Sequence, residues 1–281
     1  MATIAELENI ASQVRRDIVR MVNGCSSGHP GGSLGCTDLM TALYFEVLDS
    51  KPENFTMEGK GEDMFFLSNG HISPVWYSVL SRRGFFPVSS LSTFRSLGSP
   101  LQGHPTPKYK LPGIRVASGS LGQGLSVGIG AALAKKMNGC GHLIYTLHGD
   151  GELQEGQIWE GAMFAGGNKL DNLISIIDYN NAQIDGTVDN VLGLGNLKDK
   201  FLAFGWEVLE MQGNDMKDCL RGLNEAKGLT KKGKPVVILM HTLMGFGVDF
   251  MQGLNTWHGA APNDEQRDNA LSQLKETLGD Y

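Results

Sequence analysis

Two short apolar runs, residues 143–147 and 173–177, constrain the fold of this chain more than any other feature. Each run has the length and composition of a strand buried inside a parallel sheet. Residues 153–169 between them place apolar side chains at helical spacing, so the region predicts a strand–helix–strand unit. In such units ligands bind beyond the carboxyl ends of the strands. Asp150 and Asn180, which follow the two runs, should therefore lie close together.

The residue types at these two strand ends indicate a metal site. A carboxylate, a side-chain amide oxygen and a backbone carbonyl just beyond it are hard oxygen ligands, suited to Mg2+ or Ca2+. They would leave room in an octahedron for diphosphate oxygens and a water, and the glycines on either side of Asp150 let the backbone approach a ligand closely. Asp-Gly alone is ordinary turn chemistry. Its pairing with Asn180 at the next strand end favours a metal–diphosphate site.

The alternation of strands and helices continues through the rest of the chain. Residues 26–35 are interpreted as a glycine-rich connector and residues 89–115 as a long loop. The predicted strands are residues 64–67, 206–210 and 235–240, and the predicted helices are residues 4–22, 37–48, 73–83, 126–137, 197–204, 216–227 and a tail over 263–281. This order predicts one α/β domain over residues 1–281, a parallel sheet with helices on both faces.

One segment supports a competing interpretation as a dinucleotide-binding fold. Gly122 and Gly124 follow a candidate strand, residues 114–117, and open a predicted helix. The third glycine is misplaced at Gly128, and no acid stands about twenty residues further on. The nucleotide interpretation is therefore the weaker one.

Composition excludes several other classes of protein. The net charge of −6 argues against a nucleic-acid partner. The weakly polar run 121–134 is too short to span a bilayer, and the charged N-terminal region does not resemble a signal peptide. Cys25, Cys36, Cys140 and Cys219 are scattered, as expected of reduced cysteines in a cytoplasmic protein.

The spacing of the site motif resembles that of a known family. Gly149-Asp150-Gly151, then 28 residues, then Asn180-Asn181 resembles the thiamine diphosphate motif, and residues 149–156 resemble transketolase specifically. Further segments match transketolases in the same order: residues 27–32, 67–71, 103–105, 118–124 and 257–260. The resemblance covers nearly the whole chain, but only the N-terminal, diphosphate-binding domain of transketolase.

The resemblance implies a role for each matching residue. Asp150, Asn180 and the carbonyl of Ala182 would bind the divalent metal. Gly151 would lie against the diphosphate, and His71 and His258 would approach the diphosphate and the reaction centre. His29 and His104 would line the sugar channel. The backbone at Gly119 and Leu121 would touch the aminopyrimidine ring, Ile184 would pack near the cofactor, and Glu155 would lie near the subunit interface. Of these, His29, His104 and His258 are the catalytic candidates, because an imidazole with a pKa near neutrality can move protons. Many transketolases carry lysine at the position of Asn181 and a larger aliphatic residue at Ala182, so packing around the cofactor should be looser here.

The resemblance also implies a partner. In transketolases the glutamate that activates the cofactor and the arginines for the sugar phosphate lie outside the diphosphate-binding domain. We therefore expect the N-terminal subunit of a split transketolase, which moves a two-carbon ketol unit between sugar phosphates together with a C-terminal subunit in a two-plus-two heterotetramer. A non-catalytic thiamine diphosphate-binding scaffold and a ketol transferase with a specialised acceptor are the alternatives. The intact histidine set favours an enzyme.

Overall fold

The computed structural model describes residues 2–281, and its centre is a five-stranded parallel sheet. The strands lie in the order β1-β2-β3-β5-β4, and all four neighbouring pairs are parallel. Their bounds are β1 Met64–Leu67, β2 Ile144–Gly149, β3 Leu173–Tyr179, β4 Glu207–Gln212 and β5 Val236–His241. The prediction of a parallel α/β sheet is confirmed.

Helices cover both faces of this sheet. They span α1 Ile4–Gly24, α2 Pro30–Gly35, α3 Thr37–Ala42, α4 Ser73–Arg82, α5 Gln123–Met137, α6 Gly156–Gly167, α7 Val188–Leu192, α8 Leu197–Ala203, α9 Met216–Leu229 and α10 Asp264–Gln273. One apolar cluster joins the sheet to α1, α3, α4 and α9, and a second joins it to α5, α6 and α8.

Successive strand residues serve the two clusters alternately, as the pleat of a strand requires. In β1, Phe65 and Leu67 belong to the first cluster, whereas Met64 and Phe66 belong to the second. Because both faces are covered, β1, β2, β3 and β5 are largely continuous apolar runs, whereas the edge strand β4 is only partly buried and contains Glu207 and Glu210.

A buried ion pair holds α1 against α4. Asp17 is fully buried and accepts hydrogen bonds from Arg82 at 2.8 and 2.9 Å and from the hydroxyl of Ser78 at 2.7 Å. The α1 helix itself begins with a capping box between Thr3 and Glu6.

Several predicted boundaries are wrong. The supposed connector 26–35 contains α2, because the proline after His29 begins a helix as readily as it ends one. The helix predicted over 153–169 begins as a 3-10 turn, Gly151–Gln154, and becomes α-helical only at Gly156. The tail helix ends at Gln273 rather than continuing to residue 281, and residues 114–117 do not form a strand. The last finding removes the structural basis of the dinucleotide interpretation.

Candidate active site

A cavity of about 410 Å³ opens beyond the carboxyl ends of β1, β2 and β3. The sheet places it there because these strands are adjacent and parallel, so the residues that follow them meet at one edge. The cavity brings together every residue predicted to bind metal, cofactor or substrate: His29, His71, His104, Gly119, Leu121, Asp150, Gly151, Glu155, Asn180, Ala182, Ile184 and His258.

Asp150 lies at the floor of this cavity, almost completely buried. Its carboxylate accepts hydrogen bonds from the backbone N–H of Gly151 at 2.7 Å and of Asn181 at 2.5 Å. Burial, followed by the nearby charge of Asp178, raises the pKa of Asp150 to about 7. A buried carboxylate beside a second acid is a site that a divalent cation would stabilise strongly.

Asn180 is oriented by its own neighbours. Its Nδ2 donates to Asp178 at 2.9 Å, and its Oδ1 accepts from the backbone N–H of Ala182 at 2.8 Å. Burial raises the pKa of Asp178, although hydrogen bonds from Thr242, Cys36 and Asn180 act in the opposite direction.

Polar atoms around Asp150 and Asn180 fit a metal-bound diphosphate. Asn69 Oδ1 and Gln183 Oε1 are buried and have no hydrogen-bond partner within residues 2–281. A Cβ on Gly151 would lie 2.9 Å from Gln183 Oε1, so a larger residue here would push the Gln183 side chain aside. Hard oxygen ligands and an open backbone suit a metal-bound diphosphate, and the two amide oxygens are acceptors available to the cation or to its water ligands.

Four histidines of the cavity lining form a cluster. The ring centroid of His29 lies 5.1 Å from that of His71, 5.6 Å from that of His258 and 6.4 Å from that of His104. His71 and His258 are 5.1 Å apart. Each ring comes from a different segment: His29 precedes α2, His71 follows β1, and His104 and His258 lie in loops.

Burial lowers the pKa of all four histidines. The pKa of His29 falls to about 4, first through burial and then through the neighbouring His258 and Arg95. Burial also lowers the pKa of His71, His104 and His258. The expectation of imidazoles with a pKa near neutrality is therefore wrong. Neutral rings remain useful, because each offers one N–H donor and one acceptor nitrogen.

The chain matches the family model described as transketolase, thiamine diphosphate binding domain, over residues 7–280. This chain belongs to the transketolase family. The match confirms the predicted thiamine diphosphate-binding fold. It also confirms the predicted enzyme class, a thiamine diphosphate-dependent transferase of the transketolase type.

Similar proteins include single subunits of transketolases as well as complete ones. The chain is 40% identical over 275 residues to an apulose-4-phosphate transketolase subunit of Phocaeicola vulgatus, covering 98% of this chain and 96% of that protein. It is 37% identical over 270 residues to the 6-deoxy-6-sulfo-D-fructose transketolase subunit SqwG of Clostridium sp., covering 96% of each. The crystal structure of Campylobacter jejuni transketolase matches 97% of the chain with a TM-score of 0.88 and 35% identity. The chain spans 43% of the length of that transketolase.

Two rim residues of the transketolase cavity are apolar and exposed. Leu121 is 40% exposed and Ile184 is 67% exposed, and the exposed Glu155 lies on the same rim. Exposed aliphatic side chains at the mouth of a site indicate a surface that another molecule covers.

None of the helices in residues 2–281 has the length and apolar composition that a bilayer span requires.

Sequence reasoning missed five polar residues of the cavity: Asn69, Glu152, Gln154, Asp178 and Gln183. Asn69 follows β1, Asp178 lies within β3, and Gln183 lies between the predicted Ala182 and Ile184. The signal for Asn69 was its place at a strand end. Asp178 carried a signal too, since an acid within an otherwise apolar buried strand needs a partner.

Proposed function

We propose that this chain is the N-terminal subunit of a split transketolase, which transfers a two-carbon ketol unit from a ketose phosphate to an aldose phosphate. The observation that carries the proposal is the convergence of Asp150, Asn180 and the four-histidine cluster on one cavity. The names and lengths of the two bacterial relatives, each matched over 96% of its sequence, support a separate subunit. Residues 1–281 act as one diphosphate-binding domain, and the four free cysteines favour a cytoplasmic location.

Asp150, Asn180 and the carbonyl of Ala182 would hold Mg2+ (or Ca2+), and Gly151 would lie against the diphosphate. When bound, thiamine diphosphate supplies the electron sink for carbon–carbon bond cleavage, which no side chain of this cavity offers. The chain would supply the negative charge that binds the cation. Burial disfavours the ionised carboxylate of Asp150, and a bound cation would offset that cost.

The histidines act on the substrate as neutral hydrogen-bonding groups. His29 and His104 would orient sugar hydroxyls, whereas His71 and His258 would approach the diphosphate and the reaction centre. A neutral ring can donate to one hydroxyl oxygen and accept the proton of another as a carbonyl forms. Depressed pKa values keep the four rings neutral at physiological pH, so they do not repel each other.

A C-terminal subunit, with pyrimidine-binding and C-terminal domains, would cover the cavity and supply the groups that activate the cofactor. Its contact surface would include the rim at Leu121, Glu155 and Ile184 and the exposed apolar side chains of α6, Met163 at 59% and Phe164 at 46%. The exposed face of α5 next to α6 consists of small residues such as Gly130 and Ala134, which allow another helix to approach closely. The simplest assembly is a two-plus-two heterotetramer with two-fold symmetry.

Reconstitution tests this function. The purified chain should show no ketol transfer alone, and a co-expressed candidate C-terminal subunit, with thiamine diphosphate and Mg2+, should restore it. A panel of ketose phosphates, aldose phosphates and formaldehyde then separates an ordinary acceptor from a specialised one. Cofactor binding without turnover on any acceptor would favour the scaffold alternative, and turnover by the chain alone would overturn the split-enzyme proposal.

A further inference from the structure

A second buried carboxylate borders the cavity, and the chemistry proposed above does not use it. Glu152 is 2% exposed and lies in the 3-10 turn that follows Asp150. A charged group is buried this completely only when its hydrogen-bonding needs are met. Its partners therefore indicate what it does.

The partners of Glu152 come from three separate segments. Oε1 accepts hydrogen bonds from the hydroxyl of Ser68, which follows β1, and from the backbone N–H of Gly122 at 2.8 Å, next to α5. The same oxygen lies 3.3 Å from Nδ1 of His148, and Oε2 accepts from the N–H of Gly149 at 3.2 Å, both in β2. One carboxylate thus joins the ends of β1 and β2 to the beginning of α5.

The start of α5 depends on these contacts. Gly122 has a φ of +85° and provides no side-chain cap, so its N–H needs an acceptor from elsewhere. Gly124 donates to the Ser68 hydroxyl at 3.1 Å, and a Cβ on Gly124 would lie 2.3 Å from Ser68 Cβ. The negative charge of Glu152 also lies at the positive end of this helix.

We propose that Glu152 is a positioning residue, which fixes the loop at Gly119–Gly122 against the turn at Gly149–Gly151. This inference rests on the proposed function, because the loop would touch the aminopyrimidine ring and the turn carries the metal ligand Asp150. Glu152 would affect the cofactor and the metal indirectly, by holding the backbone of these two segments in place. A glutamine cannot replace it, because its amide would direct an N–H at the N–H of Gly149 or Gly122.

Amide hydrogen exchange of the free chain tests the proposal without any cofactor. In Glu152→Gln, the amides of Gly122, Gly124 and Gly149 should exchange at least about tenfold faster, the size expected from losing a hydrogen bond to a charged group. Glu58→Gln is the matched control, since Glu58 is exposed and does not line the cavity. Unchanged exchange at these amides would overturn the proposal. If Glu152→Gln fails to fold, Glu152→Asp, which keeps the charge but shortens the reach of the carboxylate, applies the same test at Gly122 and Gly149.

Calorimetry of the reconstituted complex with thiamine diphosphate and Mg2+ is the second readout. Glu152→Gln should weaken cofactor binding at least about tenfold, with kcat at saturating cofactor within about twofold of wild type. Wild-type affinity in this variant would overturn the proposal. Failure of the wild-type complex to bind the cofactor would instead refute the proposed function, and the exchange measurement would still decide whether Glu152 holds the loop.

Discussion

The carboxylate of Asp178 accepts a hydrogen bond from the side-chain amide of Asn180 at 2.9 Å. Asp178 is 2% exposed and also accepts from the hydroxyl of Thr242, at the end of β5. A buried acid on the central strand thereby sets the direction in which the Asn180 oxygen points. Replacing a group that orients a metal ligand typically lowers metal affinity by about 10- to 100-fold.

Asp178→Asn should accordingly weaken Mg2+-dependent binding of thiamine diphosphate in the reconstituted complex. The expected loss of affinity is about 10- to 100-fold, because the amide of Asn180 is no longer held by a charged acceptor. Calorimetric titration measures it, and Asp268→Asn on the exposed face of α10 is the control. Equal affinities in the two variants would show that Asp178 does not orient the ligand.

Asp150→Ala and Asn180→Ala should abolish metal-dependent cofactor binding with the fold retained, because each removes a hard oxygen ligand. Calorimetry with thiamine diphosphate, with and without Mg2+, measures the binding, and far-UV circular dichroism checks the fold. Wild-type affinity in both variants would mean that the metal lies elsewhere.

The four histidines should separate into two kinetic classes. His29→Ala and His104→Ala should lower kcat or raise KM for the sugar by about tenfold, the size expected from losing a hydrogen bond to the substrate, with little change in cofactor affinity. His71→Ala and His258→Ala should weaken the cofactor as well. Steady-state kinetics and calorimetry on the same four preparations distinguish the classes, and full activity in all four would make the cluster structural.

The contribution of His29 to stability should fall as the pH falls below about 6.5. The pKa of His29 is about 4 in the folded chain, below the ordinary value of 6.5, so between these values the unfolded chain binds a proton that the folded chain does not. This contribution is therefore present above pH 6.5 and is lost on acidification, whereas the raised pKa of Asp150 acts in the opposite direction over the same range. Urea unfolding at pH 7, 6 and 5 measures the free energy of unfolding, which should fall less steeply with pH in His29→Gln than in the wild type. An identical dependence on pH in the two proteins would indicate that His29 does not contribute to it.

The ion pair between Asp17 and Arg82 should matter for stability rather than for catalysis. Arg82→Met leaves a fully buried carboxylate without its partner, so it should lower the free energy of unfolding by about 3–5 kcal/mol. The exposed pair between Lys198 and Glu210 provides the control, since Lys198→Met should cost less than about 1 kcal/mol. Denaturant titration of both variants measures the difference, and comparable losses would contradict the burial argument.

Much of the fold could be predicted because this sheet is buried on both sides. Buried parallel strands are continuous apolar runs, so β1, β2, β3 and β5 were visible without any tertiary information. Predictions failed where local signals were ambiguous. The proline after His29 is compatible with a turn or with the first residue of a helix, and contacts with the rest of the fold select the helix α2.

The sequence by itself determined which residues stand at the strand ends, and therefore that Asp150 and Asn180 lie close together, whereas the place of His29, His104 and His258 beside them was implied only by the resemblance. Only the tertiary structure decided the protonation states and the hydrogen-bond partners of those residues. The low pKa of the histidines, the raised pKa of Asp150 and the carboxylate of Glu152 that joins three segments all depend on burial and on neighbours distant along the chain. Local sequence specifies the type of a side chain, whereas desolvation and long-range contacts set its charge and its direction.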